Sequence, residues 1–137
     1  MKKLILFAFV ILFAGITYGQ TLQKGALLGM HKVSPVLIPG ISMDQYLSFV
    51  MNKLIPAYEK SYPGLKCYLL KSKRGECVDC IVLAFFFQSE TIRNKYFKPD
   101  GDYTDLGLEG KRTMQTVLDE LGKMDKSTEI YTDYVIQ

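Results

Sequence analysis

The run from Cys80 to Gln88 limits most strongly what this chain can fold into, because it is apolar on both faces of a strand. Successive side chains of a strand point to opposite sides of its sheet. One side of this run would carry Ile81, Leu83, Phe85 and Phe87, and the other Val82, Ala84 and Phe86. Fully apolar strands usually occupy central positions that are covered on both sides. We therefore expect helices on one face of the sheet and a second copy of the chain on the other.

The apolar patterns after Leu22 predict the order strand, helix, strand, strand, helix, strand. The predicted strands span residues 25–33, 65–71, 80–88 and 129–137, and the helices span 43–62 and 109–124, with a short helix at 91–97. This order is the split βαβ arrangement of ferredoxin-like domains. The expected fold class is α+β, a βαββαβ chain with an antiparallel four-stranded sheet.

Two signals define the first helix. Ser42 and Gln45 have the spacing of a capping box, in which each side chain bonds to the other residue's backbone N–H. Pro56 lies inside the same helix, where it removes a hydrogen bond and clashes with the preceding turn at a cost of about 3 kcal/mol. We expect a kink at this proline.

Residues 1–19 have the organisation of a signal peptide. Lys2 and Lys3 precede an apolar stretch, and Thr17 and Gly19 provide small residues before a cleavage site. The alternative, an uncleaved anchor, fits less well because the stretch is shorter than the ~20 residues that a membrane-spanning helix needs. We expect an exported protein, periplasmic or secreted, with no membrane attachment after cleavage and with one domain over residues 20–137.

The charge balance argues against a nucleic-acid partner. The formal net charge of +3 includes the two lysines of the predicted signal, so the remainder is nearly neutral. Its basic residues are scattered, apart from Lys71, Lys73 and Arg74. Nucleic-acid-binding domains usually show a basic face and a pI above about 9.

His31 is the only histidine. Strand alternation places it on the same face as Leu27, Gly29 and Val33. It could bind a ligand or transfer a proton near neutral pH. The alternative is a histidine that is hydrogen-bonded inside a packed interface.

Cys77 and Cys80 form a Cys-x-x-Cys pair that enters a strand. A redox pair normally has its first cysteine at a helix N-terminus, and attachment of c-type haem needs a histidine where Ile81 stands. Zinc needs four ligands, and only Cys67 could join them, so no metal site is expected. An oxidising compartment permits a disulfide, either Cys77 to Cys80 or one of these to Cys67.

Several short motifs together resemble the NIPSNAP-like branch of the dimeric α+β-barrel superfamily. They are Pro39–Met43, Leu54–Tyr58, Pro63–Lys66, Phe87–Glu90 and Tyr131–Val135. The resemblance implies ferredoxin-like protomers whose sheets face one another across a dimer and enclose a small cavity. Relatives of this kind include cofactor-free monooxygenases and haem-handling proteins, and fold alone does not fix function.

Taken together, these features predict a homodimer whose inter-sheet cavity binds a small, mostly apolar molecule without a tightly held cofactor. His31, Tyr68 and Tyr131 are the candidate ligand-binding residues, since such pockets combine apolar walls with a few polar groups. One alternative is a cofactor-independent monooxygenase or a haem-handling enzyme, with His31 as base or axial ligand. Another is a redox protein that uses Cys77 and Cys80. The sequence identifies no catalytic residue.

Overall fold

The computed structural model describes residues 22–75, 78 and 80–137. The predicted signal peptide and Cys77 therefore lie outside the described residues. The strands are β1 (Leu27–Val33), β2 (Leu65–Lys71), β3 (Ile81–Phe87) and β4 (Glu129–Val135). The helices are α1 (Met43–Phe49), α2 (Ile55–Ser61), α3 (Glu90–Arg93), α4 (Asp105–Thr113) and α5 (Gln115–Gly122). Over the described residues, no helix has the length and apolar character needed to cross a membrane.

The four strands form one sheet in the order β2-β3-β1-β4, and every neighbouring pair is antiparallel. The two helical segments each connect strands that are not neighbours in the sheet. The predicted α+β, ferredoxin-like βαββαβ protomer is thus confirmed, with β1 and β3 in the centre of the sheet.

One face of the sheet packs on the helices and forms the core. The register places Leu27, Cys67, Phe85 and Phe87 on this face, together with His31. From the helices the core receives Tyr46, Phe49, Val50, Leu54 and Met114. His31 therefore faces the helices, on the same side as Leu27, Gly29 and Val33.

The opposite face, which we call the open face, carries the other set of strand side chains. Phe86 and Ala84 are buried there by their neighbours in the sheet. Large apolar side chains around them remain exposed, namely Tyr68, Leu70, Ile130 and Tyr134. The run that forms β3 is therefore apolar on both sides, as predicted, but the helices cover only one of these two sides.

The first helix begins as predicted and adapts to its proline. The Ser42 hydroxyl accepts from the Gln45 N–H at 3.2 Å, and the Gln45 side chain accepts from the Ser42 N–H at 2.8 Å. Instead of a simple kink, a π-helical segment (Val50–Leu54) joins α1 to α2, and the Ile55 N–H bonds to the Val50 carbonyl. This wider turn lies where the Pro56 ring would otherwise meet the carbonyl four residues earlier.

The second helical segment starts earlier than predicted and is divided. The Thr104 hydroxyl caps α4 by accepting from the Gly107 N–H at 3.1 Å, so the helix begins at Asp105 rather than Glu109. The backbone leaves the helical region at Met114, where φ is −100° and ψ is 9°. Gly107 and Gly110 weaken the helical pattern of this stretch. In the structure they allow α4 to lie close to Tyr96 and Tyr62.

Candidate functional site

A cavity of about 120 Å³ lies between the helix-facing side of β1, β3 and β4 and the segment that follows α3. Most of its wall is aromatic, and an imidazole, a guanidinium and two carboxylates are grouped along β1, β4 and α3. It is lined by His31, Tyr58, Phe85, Phe87, Arg93, Phe97, Gly101, Tyr103, Glu129, Tyr131 and Asp133.

His31 and Glu129 form a pair at one end of the cavity. In the β1–β4 register His31 lies opposite Tyr131, and Val33 lies opposite Glu129. Glu129 is thus a diagonal neighbour of His31, within reach of a long side chain. Its Oε2 lies 3.4 Å from His31 Nδ1. The hydrogen bond from His31 lowers the pKa of Glu129, against the opposing effect of partial burial.

Aromatic rings fix the position of the His31 imidazole. Its centroid lies 4.3 Å from that of Phe85 and 5.4 Å from that of Tyr131, whose ring is nearly parallel to it at 18°. The His31 side chain is 17% exposed. The imidazole is therefore held between a core residue of β3 and a ring at the entrance, with contact to solvent retained.

Arg93 and Asp133 form a second pair farther along β4. Arg93 Nη2 donates to Asp133 Oδ2 at 2.9 Å, and Nη1 donates to the carbonyls of Phe97 and Lys98 at 3.1 and 2.6 Å. The Arg93 side chain is 9% exposed, so these acceptors compensate the burial of its charge.

Two glycines make room for this arrangement. Gly29 lies opposite Asp133, and a Cβ at Gly29 would be 2.7 Å from Asp133 Oδ1. Gly101, with φ at +91°, lies so close to the Tyr131 hydroxyl that a Cβ there would overlap it. The Tyr131 ring is consequently held between His31 and the turn that contains Gly101.

The remaining wall consists of packed aromatic side chains. Tyr58 lies 4.8 Å from Phe85, and Phe97 lies 5.4 Å from Tyr103, measured between ring centroids. Burial raises the pKa of both Tyr58 and Tyr103, and the negative charge of Glu129 adds to the effect. Both phenols are therefore neutral hydrogen-bonding groups at physiological pH.

The structure brings two of the three predicted ligand-binding residues together. His31 and Tyr131 line the same cavity, whereas Tyr68 lies on the open face and is 46% exposed. The cavity itself is within one protomer, on the helix side of the sheet, and not between the sheets of two copies. Side-chain alternation put His31 on a definite face, but only the packing shows which face the helices cover.

Sequence reasoning missed Glu129, Asp133 and Arg93. A signal for the two acids was present in β4, where Glu129, Tyr131 and Asp133 alternate with Ile130, Thr132 and Tyr134. This alternation shows that two carboxylates share a face with Tyr131. Their partners on β1 and α3 follow only from the strand register and the path of the chain.

The cysteines separate into different environments. Cys67 is a free, buried thiol whose pKa is raised to about 12, mainly by burial and additionally by Glu59. Cys80 is disulfide-bonded. Cys67 is thus not the partner of Cys80, and the predicted Cys77–Cys80 pairing stays a prediction because Cys77 lies outside the described residues. Among those residues no group of three or more His, Cys, Asp or Glu side chains could hold a metal ion.

Comparison with known proteins gives a distant structural likeness. No protein-family model matches the chain, and no match is found among curated proteins. The chain is similar to a dimeric protein of unknown function and ferredoxin-like fold from Bacteroides fragilis NCTC 9343. The identity is 13% and the TM-score is 0.46, over 82% of this chain and 98% of the other. The class defined by the architecture is that of ferredoxin-like α+β proteins.

Proposed function

We propose that this protein binds a small, mostly apolar molecule in the cavity of each protomer and acts as an exported homodimer. The observation that carries the proposal is the cavity beside His31, where aromatic walls surround a few ordered polar groups. Small-molecule sites generally have this composition, because apolar walls supply affinity and polar groups fix orientation.

The size of the cavity indicates a ligand, or the inserted part of one, with a single ring. Its volume of about 120 Å³ is close to that of a cavity of roughly 150 Å³ that accommodates benzene. A haem contains four pyrrole rings in one rigid plane and does not fit this space. The volume thus supports a small ligand without a tightly held cofactor over the haem alternative.

Dimerisation would cover the open face. Tyr68, Leu70, Ile130 and Tyr134 are between 43% and 73% exposed on the same face of the sheet as the buried Phe86. Monomeric soluble proteins rarely expose large contiguous apolar patches. A second copy is the proposed occupant because a two-fold axis through this face would bring the same apolar strands together from both chains.

Export and membership of the NIPSNAP-like branch belong to the same proposal. Residues 1–19 would direct export, and an oxidising destination agrees with the disulfide at Cys80. The resemblance in the turn and cap motifs is the basis for the family hypothesis. It adds no residue role to those derived above.

The His31–Glu129 pair favours one further candidate, a cofactor-independent monooxygenase. A carboxylate at Nδ1 orients an imidazole and strengthens it as a proton acceptor at Nε2, which is the arrangement of a general base. In that case His31→Ala would abolish substrate-dependent oxygen consumption. If His31→Ala consumes oxygen at the wild-type rate, the enzyme hypothesis is wrong, while the binding proposal stands.

A pair of equivalent tyrosine variants tests the binding proposal. Native mass spectrometry of protein purified from its own host would first reveal a retained molecule and the stoichiometry. Binding of single-ring compounds is then measured by ligand-observed NMR for the wild type, Tyr131→Ala and Tyr68→Ala. Both tyrosines are 46% exposed, but only Tyr131 lines the cavity.

We expect Tyr131→Ala to weaken binding by at least about tenfold, which corresponds to 1.4 kcal/mol. Tyr68→Ala should bind like the wild type. Loss of binding in Tyr68→Ala with retention of binding in Tyr131→Ala would place the binding site on the open face. The cavity described here would then not be the binding site.

A further inference from the structure

The polar groups of the cavity also indicate the charge of its ligand, an inference that rests on the proposed function. We propose that the cavity selects a small organic cation, a protonated amine attached to one aromatic ring, over neutral or anionic molecules of the same shape. The hydrogen-bond capacity of the cavity, the balance of its charges and its aromatic walls all favour such a cation.

The carboxylates leave hydrogen-bond acceptors unused. Glu129 contacts His31 through Oε2, and Asp133 accepts from Arg93 through Oδ2. Among residues 22–75, 78 and 80–137, neither Glu129 Oε1 nor Asp133 Oδ1 has a hydrogen-bond partner. Each ionised carboxylate can accept several hydrogen bonds. The cavity thus presents free acceptor positions on the face of β4.

The nitrogen donors at the wall are largely engaged. Arg93 Nη1 donates to the Phe97 and Lys98 carbonyls, and Nη2 donates to Asp133. His31 Nδ1 faces Glu129 Oε2 at 3.4 Å, so its N–H is directed at that carboxylate. An anion would compete with these internal acceptors for the nitrogen donors, whereas a cationic donor would find unoccupied carboxylate oxygens.

The charges favour a cation as well. The cavity wall carries two carboxylates and one guanidinium; the Glu129 side chain is 55% exposed, and those of Asp133 and Arg93 are 28% and 9% exposed. Lys111 is the other cation recorded at the lining, with Nζ 5.2 Å from the Tyr103 ring centroid. It is exposed on α4, where solvent screens its charge much more than that of the buried Arg93.

The walls suit a positively charged aromatic molecule. The faces of Phe and Tyr rings attract cations within about 6 Å, by 0.5 to 2 kcal/mol depending on solvent exposure. Phe85, Phe97, Tyr103 and Tyr131 supply such rings. The protein already uses this contact internally, since the Arg93 guanidinium lies 5.4 Å from the Phe97 centroid.

Three probes of the same size and different charge test the inference: benzylamine, benzyl alcohol and benzoate. Their dissociation constants are measured by ligand-observed NMR at about pH 8, where benzylamine is charged. The protein is the full mature chain, in wild-type form and as Glu129→Gln. Glu109→Gln is the matched control, because it removes the same charge from α4 outside the cavity lining.

We expect the wild type to bind benzylamine at least about tenfold more tightly than benzyl alcohol, and benzoate more weakly than both. Glu129→Gln should reduce the ratio of the benzylamine affinity to the benzyl alcohol affinity, and Glu109→Gln should retain this ratio. Equal or tighter binding of benzyl alcohol or benzoate would overturn the inference and leave the binding proposal intact. Failure of all three probes to bind at about 10 mM would contradict both.

Discussion

At the scale of single residues, the cavity depends on which side chains β4 directs toward the helices. Glu129, Tyr131 and Asp133 occupy the helix-facing positions of an edge strand that is exposed along its whole length. Each meets a specific partner, namely His31, Gly101 and Arg93. These contacts fix the three side chains at the solvent-accessible edge of the cavity.

Gly101 provides a test at this scale. Alanine at either Gly101 or Gly40 must adopt a positive φ, which costs about 1–2 kcal/mol. A Cβ at Gly40 meets no other atom, whereas a Cβ at Gly101 also displaces the Tyr131 hydroxyl. We expect urea denaturation to show a larger loss of unfolding free energy for Gly101→Ala than for Gly40→Ala. We also expect Gly101→Ala to bind a single-ring compound more weakly than the wild type, as measured by NMR.

Gly40→Ala serves as the control for backbone strain. Its binding constant should equal that of the wild type, because Gly40 precedes α1 and lies outside the cavity lining. The same affinity in both variants would show that the contact between Gly101 and Tyr131 does not shape the site.

At the scale of secondary-structure elements, the helices differ in how far local signals define them. The capping box of Ser42 and Gln45 sets the start of α1, and Pro56 explains the π-helical segment before α2. In α4, by contrast, Gly107 and Gly110 reduce the helical propensity that sequence analysis relies on. These glycines are required by tertiary contacts, because α4 packs directly on Tyr96 and Tyr62.

Two glycine-to-alanine changes distinguish close packing from helix propensity. In Gly107→Ala the new Cβ would overlap the Tyr96 carbonyl oxygen, and we expect a loss of about 1–3 kcal/mol from overpacking. In Gly122→Ala the Cβ meets nothing, so the better helix former should add up to about 1 kcal/mol. Urea denaturation measures both. If both variants change the free energy of unfolding by similar amounts in the same direction, the packing described for α4 is contradicted.

At the scale of the whole molecule, the sheet separates two surfaces with different composition. The helix-facing side contains the core and the cavity beside His31, and the open face carries exposed apolar residues. Phe85 packs against His31 and Tyr58, whereas its neighbour Phe86 points to the open face. The proposed dimer would thus bury the second face without obstructing the first.

Ile130→Asp tests the dimer without disturbing the core. Ile130 is 73% exposed and lies opposite Lys32 on β1, so the protomer tolerates an aspartate there. We expect the molecular mass from light scattering after size exclusion to change from that of two chains to that of one chain. The control is Leu108→Asp, an exposed apolar position on α4, which should remain dimeric. A wild-type protein with the mass of one chain would reject the proposed interface.

The sequence by itself determined the order of strands and helices along the chain, the limits of β2, the cap of α1 and the two-sided apolar character of β3. These features depend on side-chain alternation, turn residues and backbone hydrogen bonds, all of which act over a few residues. Likewise, alternation alone grouped His31 with Leu27, Gly29 and Val33.

Only the tertiary structure decided which face the helices cover, and with it the position of the cavity. It separated Tyr68 from His31 and Tyr131, and it joined His31 to Glu129 and Arg93 to Asp133. These partners are distant in the sequence, and their meeting depends on strand register and on the packing of the segment after α3. Local patterns carry no information about either, because register and packing are set by contacts over the whole chain.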